Sequence, residues 1–111
     1  MDKLTHYRTL IKQILLHHAE YAPSLGQIES LPVFDDQNNQ YFLVDFGWDR
    51  TGRVHSVILH LRIKNNKVWI ERDGMEEGIA TELLEAGIPK DDIVLAFYRP
   101  ERRAITEFAI A

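Results

Sequence analysis

Cysteine is absent from the 111 residues, so neither a disulfide nor a thiolate metal site can form, and a reducing cytosol is the expected setting. No apolar run approaches the ~18 residues that a membrane-spanning helix needs. The opening Met1-Asp2-Lys3 passes straight into helical periodicity, without the apolar core of a signal peptide. A surplus of positive charge is missing too: 13 Lys and Arg stand against 17 Asp and Glu, for a net charge of −4. Nonspecific affinity for nucleic acid comes largely from clustered Lys and Arg, so neutralising phosphates is not expected to be the main task, and only a local basic face is left open. Internal repeats, linkers and low-complexity segments are also lacking. What remains is 45% hydrophobic and 27% charged, the make-up of one globular domain over residues 1–111 with its own core.

The chain is organised around Tyr41 to Gly87, which reads as three consecutive strands feeding a helix. YFLVDFGW (41–48), RVHSVILHLRIK (53–64) and KVWIERD (67–73) are rich in β-branched and aromatic residues and are joined by short polar turns. Before them, Leu4, Tyr7, Ile11, Ile14, Leu15, His18 and Tyr21 recur at spacings of three and four, the apolar stripe of a long helix over 3–21. Pro23, Ser24 and Gly26 are expected to end it. Gln27 to Phe34 reads as a short strand with Leu31 and Val33 on one face, and Pro32, which cannot donate to a ladder, puts it at an edge. After the strands, Asp73 and Glu76 form a capping-box pattern for a helix over 76–86, with Gly87 as its left-handed terminator. IVLAFY (93–98) reads as a strand, Pro100 to Arg103 as one helical turn, and the apolar tail to Ala111 as packed. The fold class is therefore α+β: a long N-terminal helix, an antiparallel meander, a second capped helix, and a C-terminal strand with a short helical segment.

Asn65-Asn66 is a two-residue turn with left-handed backbone angles, which pairs Ile63 with Val68, Leu61 with Ile70 and Leu59 with Arg72. Setting Asp49 opposite Gly52 pairs Phe46 with His55, Val44 with Val57 and Phe42 with Leu59, whereas a glycine bulge would set Phe42 against His60. Apolar matching favours the former. Phe42, Val44, Phe46, Val57, Leu59, Leu61, Ile63, Val68 and Ile70 then share the core face. The opposite face carries the row Tyr41–His60–Glu71 and the pair Arg62–Trp69, an expected cation–π contact. Mixed in character, this second face is the candidate interface for another chain, either a partner or a second copy.

Motifs that carry chemistry are thin. Asp45-Phe46-Gly47 spells the kinase magnesium tripeptide, yet the chain has no glycine-rich loop and no catalytic-loop signature. The serines at 24, 30 and 56 lie outside any Gly-x-Ser-x-Gly elbow. The five histidines have no metal-ligand spacing: His17 and His18 diverge on a helix, and His55 and His60 fall on opposite strand faces. No catalytic residue, cofactor or metal is expected, although His60 with Glu71 is the one pair from which a metal-dependent enzyme could be built. Arg99, Arg102 and Arg103 are the densest basic run and the candidate patch for DNA.

Several blocks resemble the XisI-like family, whose founding members are controlling factors for excision of the fdxN DNA element in cyanobacteria. These are the opening MDKLTHYRTLIKQIL, GWD at 47–49, RVHSVILHLRIKNNKVWIERDG at 53–74, EEGIATELLEAGIPKDDIVLAFY at 76–98 and PERRAITEFAIA at 100–111. The resemblance implies a regulatory role beside a separate site-specific recombinase that cuts the strands. It also implies a companion of the XisH type, and it brings no catalytic residue. The resulting expectation is a noncatalytic accessory factor that binds a protein partner, with any DNA contact indirect.

Overall fold

The computed structural model describes residues 2–20 and 27–111. Tyr21, Pro23, Ser24 and Gly26, the expected end of the first helix, lie outside them. Helix α1 spans Lys3–Glu20. The carboxylate of Asp2 accepts the Thr5 amide at 2.7 Å, an N-cap that satisfies one of the unpaired donors of the first turn. Tyr7, Ile11 and Leu15 form its buried face, and Leu4, Leu10 and Ile14 pack beside them.

Strands β1 (Gln27–Asp35), β2 (Gln40–Asp49), β3 (Gly52–Lys64), β4 (Lys67–Asp73) and β5 (Ile93–Leu95) form one sheet in sequence order. The first four are antiparallel, as expected of a meander, and β1 is the edge that Pro32 implies. Strand β5 runs parallel to β4 and is shorter than the 93–98 expected, because the chain turns away at Ala96 and Tyr98 donates its amide to Leu95 O. Between them lies helix α2 (Ile79–Glu85), and Pro100–Arg103 forms the helical turn α3. Helices α1 and α2 cover one sheet face, with Ile79 and Leu83 joining Tyr41, Leu43, Leu59, Leu61 and Ile70 in the core. Among the described residues, no helix is long and apolar enough to cross a membrane.

Asn65 and Asn66 adopt φ of 54° and 62°, and Ile63–Val68 and Leu61–Ile70 pair as expected. Asp49 opposes Gly52, Phe46 opposes His55 and Val44 opposes Val57. Beyond that point two bulges intervene. The partner of Leu43 is Leu59, which leaves Ile58 as an extra residue, and Phe42 faces His60. On the other side Leu61 pairs Ile70 while His60 pairs Arg72, which leaves Glu71 as the extra residue. The carbonyls at the first bulge are not orphaned: Val57 O accepts Arg72 Nε at 2.6 Å and Ile58 O accepts the Gly74 amide at 2.7 Å.

A bulge inverts the alternation of every residue beyond it, and this corrects the expected core face. Leu59, Leu61, Ile63, Val68 and Ile70 are core, but Phe42, Val44, Phe46 and Val57 are not; β2 contributes Tyr41 and Leu43 in their place. Helix α2 also starts three residues later than the capping box implies. Its N-cap residue is Gly78 and not the expected Asp73, yet the Asp73 carboxylate reaches across an intervening loop to accept the amides of Met75 at 3.0 Å and Ile79 at 2.9 Å. At the other end the Ile88 amide bonds Leu83 O and the Gly87 amide bonds Leu84 O, with Gly87 at φ 103°, the hydrogen-bond pair of a Schellman termination.

Candidate functional site

The sequence-expected row Tyr41–His60–Glu71 does not form. Tyr41 opposes Leu61 and points into the core beneath α1. Its hydroxyl donates to Asp36 at 2.8 Å, and burial, with that hydrogen bond, pushes the phenol up to about 12. His60 stays on the opposite face, stacked on Phe42 at 4.2 Å between ring centroids and hydrogen-bonded to Gln40 at 2.7 Å. Burial lowers its pKa below the ordinary histidine range. Glu71 accepts from Arg62 Nε at 2.6 Å. His60 and Glu71 are thus each engaged elsewhere, and among the described residues no three His, Asp or Glu side chains gather where a metal ion could be held.

The Arg62–Trp69 contact is present, with the guanidinium 5.6 Å from the indole, but it is part of a larger cluster. Lys64 lies 4.9 Å and Arg103 5.5 Å from the same ring. Trp69 is buried, and its Nε1 donates to Lys64 O at 3.0 Å. Arg103 donates further to the carbonyls of Tyr98 at 2.8 Å, Ala96 at 3.2 Å and Ile110 at 3.2 Å. The arginine run therefore divides. Arg103 fastens the C-terminal segment to the sheet, while Arg99 and Arg102 remain exposed, Arg102 lying 5.2 Å from the Tyr98 ring.

What the bulges expose is more consequential than either expected cluster. The side chains turned away from the helices on β1, β2 and β3 form a lattice in register: Leu31–Val44–Val57 in one row and Val33–Phe42–His60 in the next. The row on the other side is Glu29–Phe46–His55, followed by Gln27–Trp48–Arg53. Leu31, Val33 and Trp48 are 48%, 40% and 55% exposed. Contiguous apolar surface of this kind marks a contact site more often than a solvated face. Sequence reasoning missed it because strict alternation placed Phe42, Val44 and Phe46 inside. The signal was in β1, where Leu31 and Val33 alternate with Pro32 and Phe34.

An open groove of about 460 Å³ lies elsewhere, lined by His18, Met75, Glu76, Glu77, Glu82 and Glu85 among others. His18 and Glu82 meet at 2.6 Å in its wall, tying α1 to α2.

Comparison with known proteins places the chain in a family. The XisI protein family matches residues 1–110. Among solved structures, the fdxN element excision controlling factor XisI from Anabaena variabilis is 44% identical. The alignment covers 99% of this chain and 100% of that one, with a TM-score of 0.84. A XisI-like protein from Anabaena variabilis is 30% identical over 97% of this chain and 99% of that one, with a TM-score of 0.90. Among proteins of curated function none matches. A match over nearly the whole length, in both sequence and fold, establishes that the chain belongs to the XisI protein family.

Proposed function

We propose that this protein is a regulatory accessory factor in the excision of a DNA element, without catalysis of its own, and that it acts by binding another protein. Its relative of known structure is named an excision controlling factor, and the family resemblance points to an XisH-like companion as the partner. The observation that carries the reading is the uncovered sheet face. Leu31, Val33 and Trp48 stand exposed around Phe42, Val44 and Phe46, on a sheet whose other side is packed into the core. Burying such side chains stabilises a complex by roughly 25 cal/mol per Å² of apolar area before the costs of association. His60 and Arg62 at one end of that face are hydrogen-bonded within the chain, while Glu29, Arg53 and His55 stand exposed at its margins.

The test is co-elution. A purified XisH-like companion mixed with this protein is expected to run as one complex in gel filtration. Separate elution at concentrations well into the micromolar range would remove the proposal.

A further inference from the structure

Opposite charges line the two margins of the open face. Its margin on β1 is acidic, with Glu29 exposed, and its margin on β3 is basic, with Arg53 and His55 exposed. Glu29 and His55 sit in the same row, separated by Phe46, so two strand spacings, roughly 10 Å, keep them apart within one chain. Neither makes an ion pair among the described residues. Between the margins runs β2, whose outward residues Phe42, Val44, Phe46 and Trp48 carry no charge of their own; at its end Arg53 leans over the Trp48 ring at 5.7 Å and donates to Gly47 O at 3.2 Å.

We infer that this face pairs with a second copy of the chain about a two-fold axis lying along β2. A residue on a two-fold axis meets its own image, so a charge there would repel itself, and the outward residues of the axis strand have none. The same rotation carries the β1 margin of one copy onto the β3 margin of the other. Glu29 then meets His55, with Arg53 diagonally beside it, and the pairing occurs twice. An unrelated partner would need to be basic along one margin and acidic along the other, whereas a second copy has that pattern by construction. Sheets stack face to face about 10 Å apart with strands within about 30° of parallel, which long side chains at the margins can span.

The footprint, about 15 Å across three strands and about 30 Å along them, is at the small end for a specific interface. The dimer is therefore expected to be weak, dissociating in the micromolar range, and a companion that uses this face takes the place of the second copy. The inference rests on the reading of the face as a protein-binding surface.

Two charge-reversed proteins test it, Glu29→Lys and the double variant Arg53→Glu/His55→Glu, each checked for native circular dichroism. Sedimentation velocity of the unmodified protein across the micromolar range is expected to show a monomer–dimer equilibrium. Each reversed protein alone places like charges together twice, which is costly at an interface, and its dissociation constant is expected to rise at least about tenfold. An equal mixture of the two restores opposite charges at both contacts and is expected to dimerise like the unmodified chain. A monomer throughout the range would overturn the inference, as would a dimer indifferent to both reversals or a mixture that is not rescued. If the unmodified chain is monomeric yet binds the XisH-like protein, self-pairing falls and the protein-binding reading stands. If it dimerises but binds no companion, the reverse holds.

Discussion

Gly47 lies in the middle of β2 with φ 145°, opposite Ile28 on β1. A Cβ there would stand 1.8 Å from Gln27 O and 2.9 Å from Ile28 Cα, so any side chain drives β1 off the sheet and strains the backbone as well. Gly47→Ala is expected to cost about 2–4 kcal/mol, measured by urea unfolding; a loss below about 0.5 kcal/mol would mean that β1 moves aside freely. A second residue-scale feature is the carboxylate of Asp92. It accepts from Lys3 at 2.7 Å and from the Tyr7 hydroxyl. Burial pushes this carboxyl up, but the hydrogen bonds and charge of Lys3 and the Tyr7 hydroxyl outweigh it and hold the group below the usual carboxylate range. A carboxyl depressed in the folded state binds fewer protons there than when unfolded. Its contribution is therefore present above the unfolded pKa near 3.9 and lost as pH falls through the folded value. Tyr7 has the opposite sign: burial and the Asp92 contact raise its phenol, so its contribution is present below about 10 and lost as pH rises beyond that. The gap in melting temperature between the unmodified chain and Asp92→Asn is thus expected to be widest between those limits and to narrow below about pH 4. A gap constant down to pH 2 would contradict this.

At the scale of elements, the turns and helix ends were the most legible parts of the sequence, because each depends on a few local residues. Asn65-Asn66, Gly87 and Pro100 all occupy the backbone states their chemistry favours. The bulges were not legible, because Ile58 and Glu71 look like ordinary strand residues. Their insertion is settled by tertiary partners, Arg72 and Gly74 for the freed carbonyls and Arg62 for the Glu71 carboxylate. Helix α2 shows both cases. Asp73 was recognisable as an acceptor for the helix start, but the five-residue excursion hid that Gly78, at φ 84°, takes the N-cap position itself. Asp73→Ala leaves two amides of that loop and helix start without their acceptor. It is expected to destabilise the protein by about 1–2 kcal/mol and to raise hydrogen exchange at Ile79 first. Unchanged exchange at Ile79 would show that this acceptor is dispensable.

At the scale of the molecule, one face of the sheet is closed by α1 and α2 and part of the other by the C-terminal segment, which Arg103 ties down through four carbonyls. The region over β1, β2 and β3 is the remainder. Sequence reasoning placed the working surface on the face away from the helices, and put Tyr41 there. The structure moves Tyr41 inside, turns Arg62, Trp69 and Glu71 into a half-enclosed cluster beside Arg103, and brings Phe42, Val44 and Phe46 out. A period of two cannot reveal such an exchange, since one inserted residue reverses it without changing the composition of either strand. This exposed face is the surface proposed above for association. Calorimetric titration of an XisH-like companion into the unmodified chain and into Val44→Glu tests this most directly. The unmodified chain is expected to bind with a negative heat-capacity change, the mark of apolar burial, and the variant, folded by circular dichroism, to lose at least about a hundredfold in affinity. Equal affinity for both would contradict the assignment of this face.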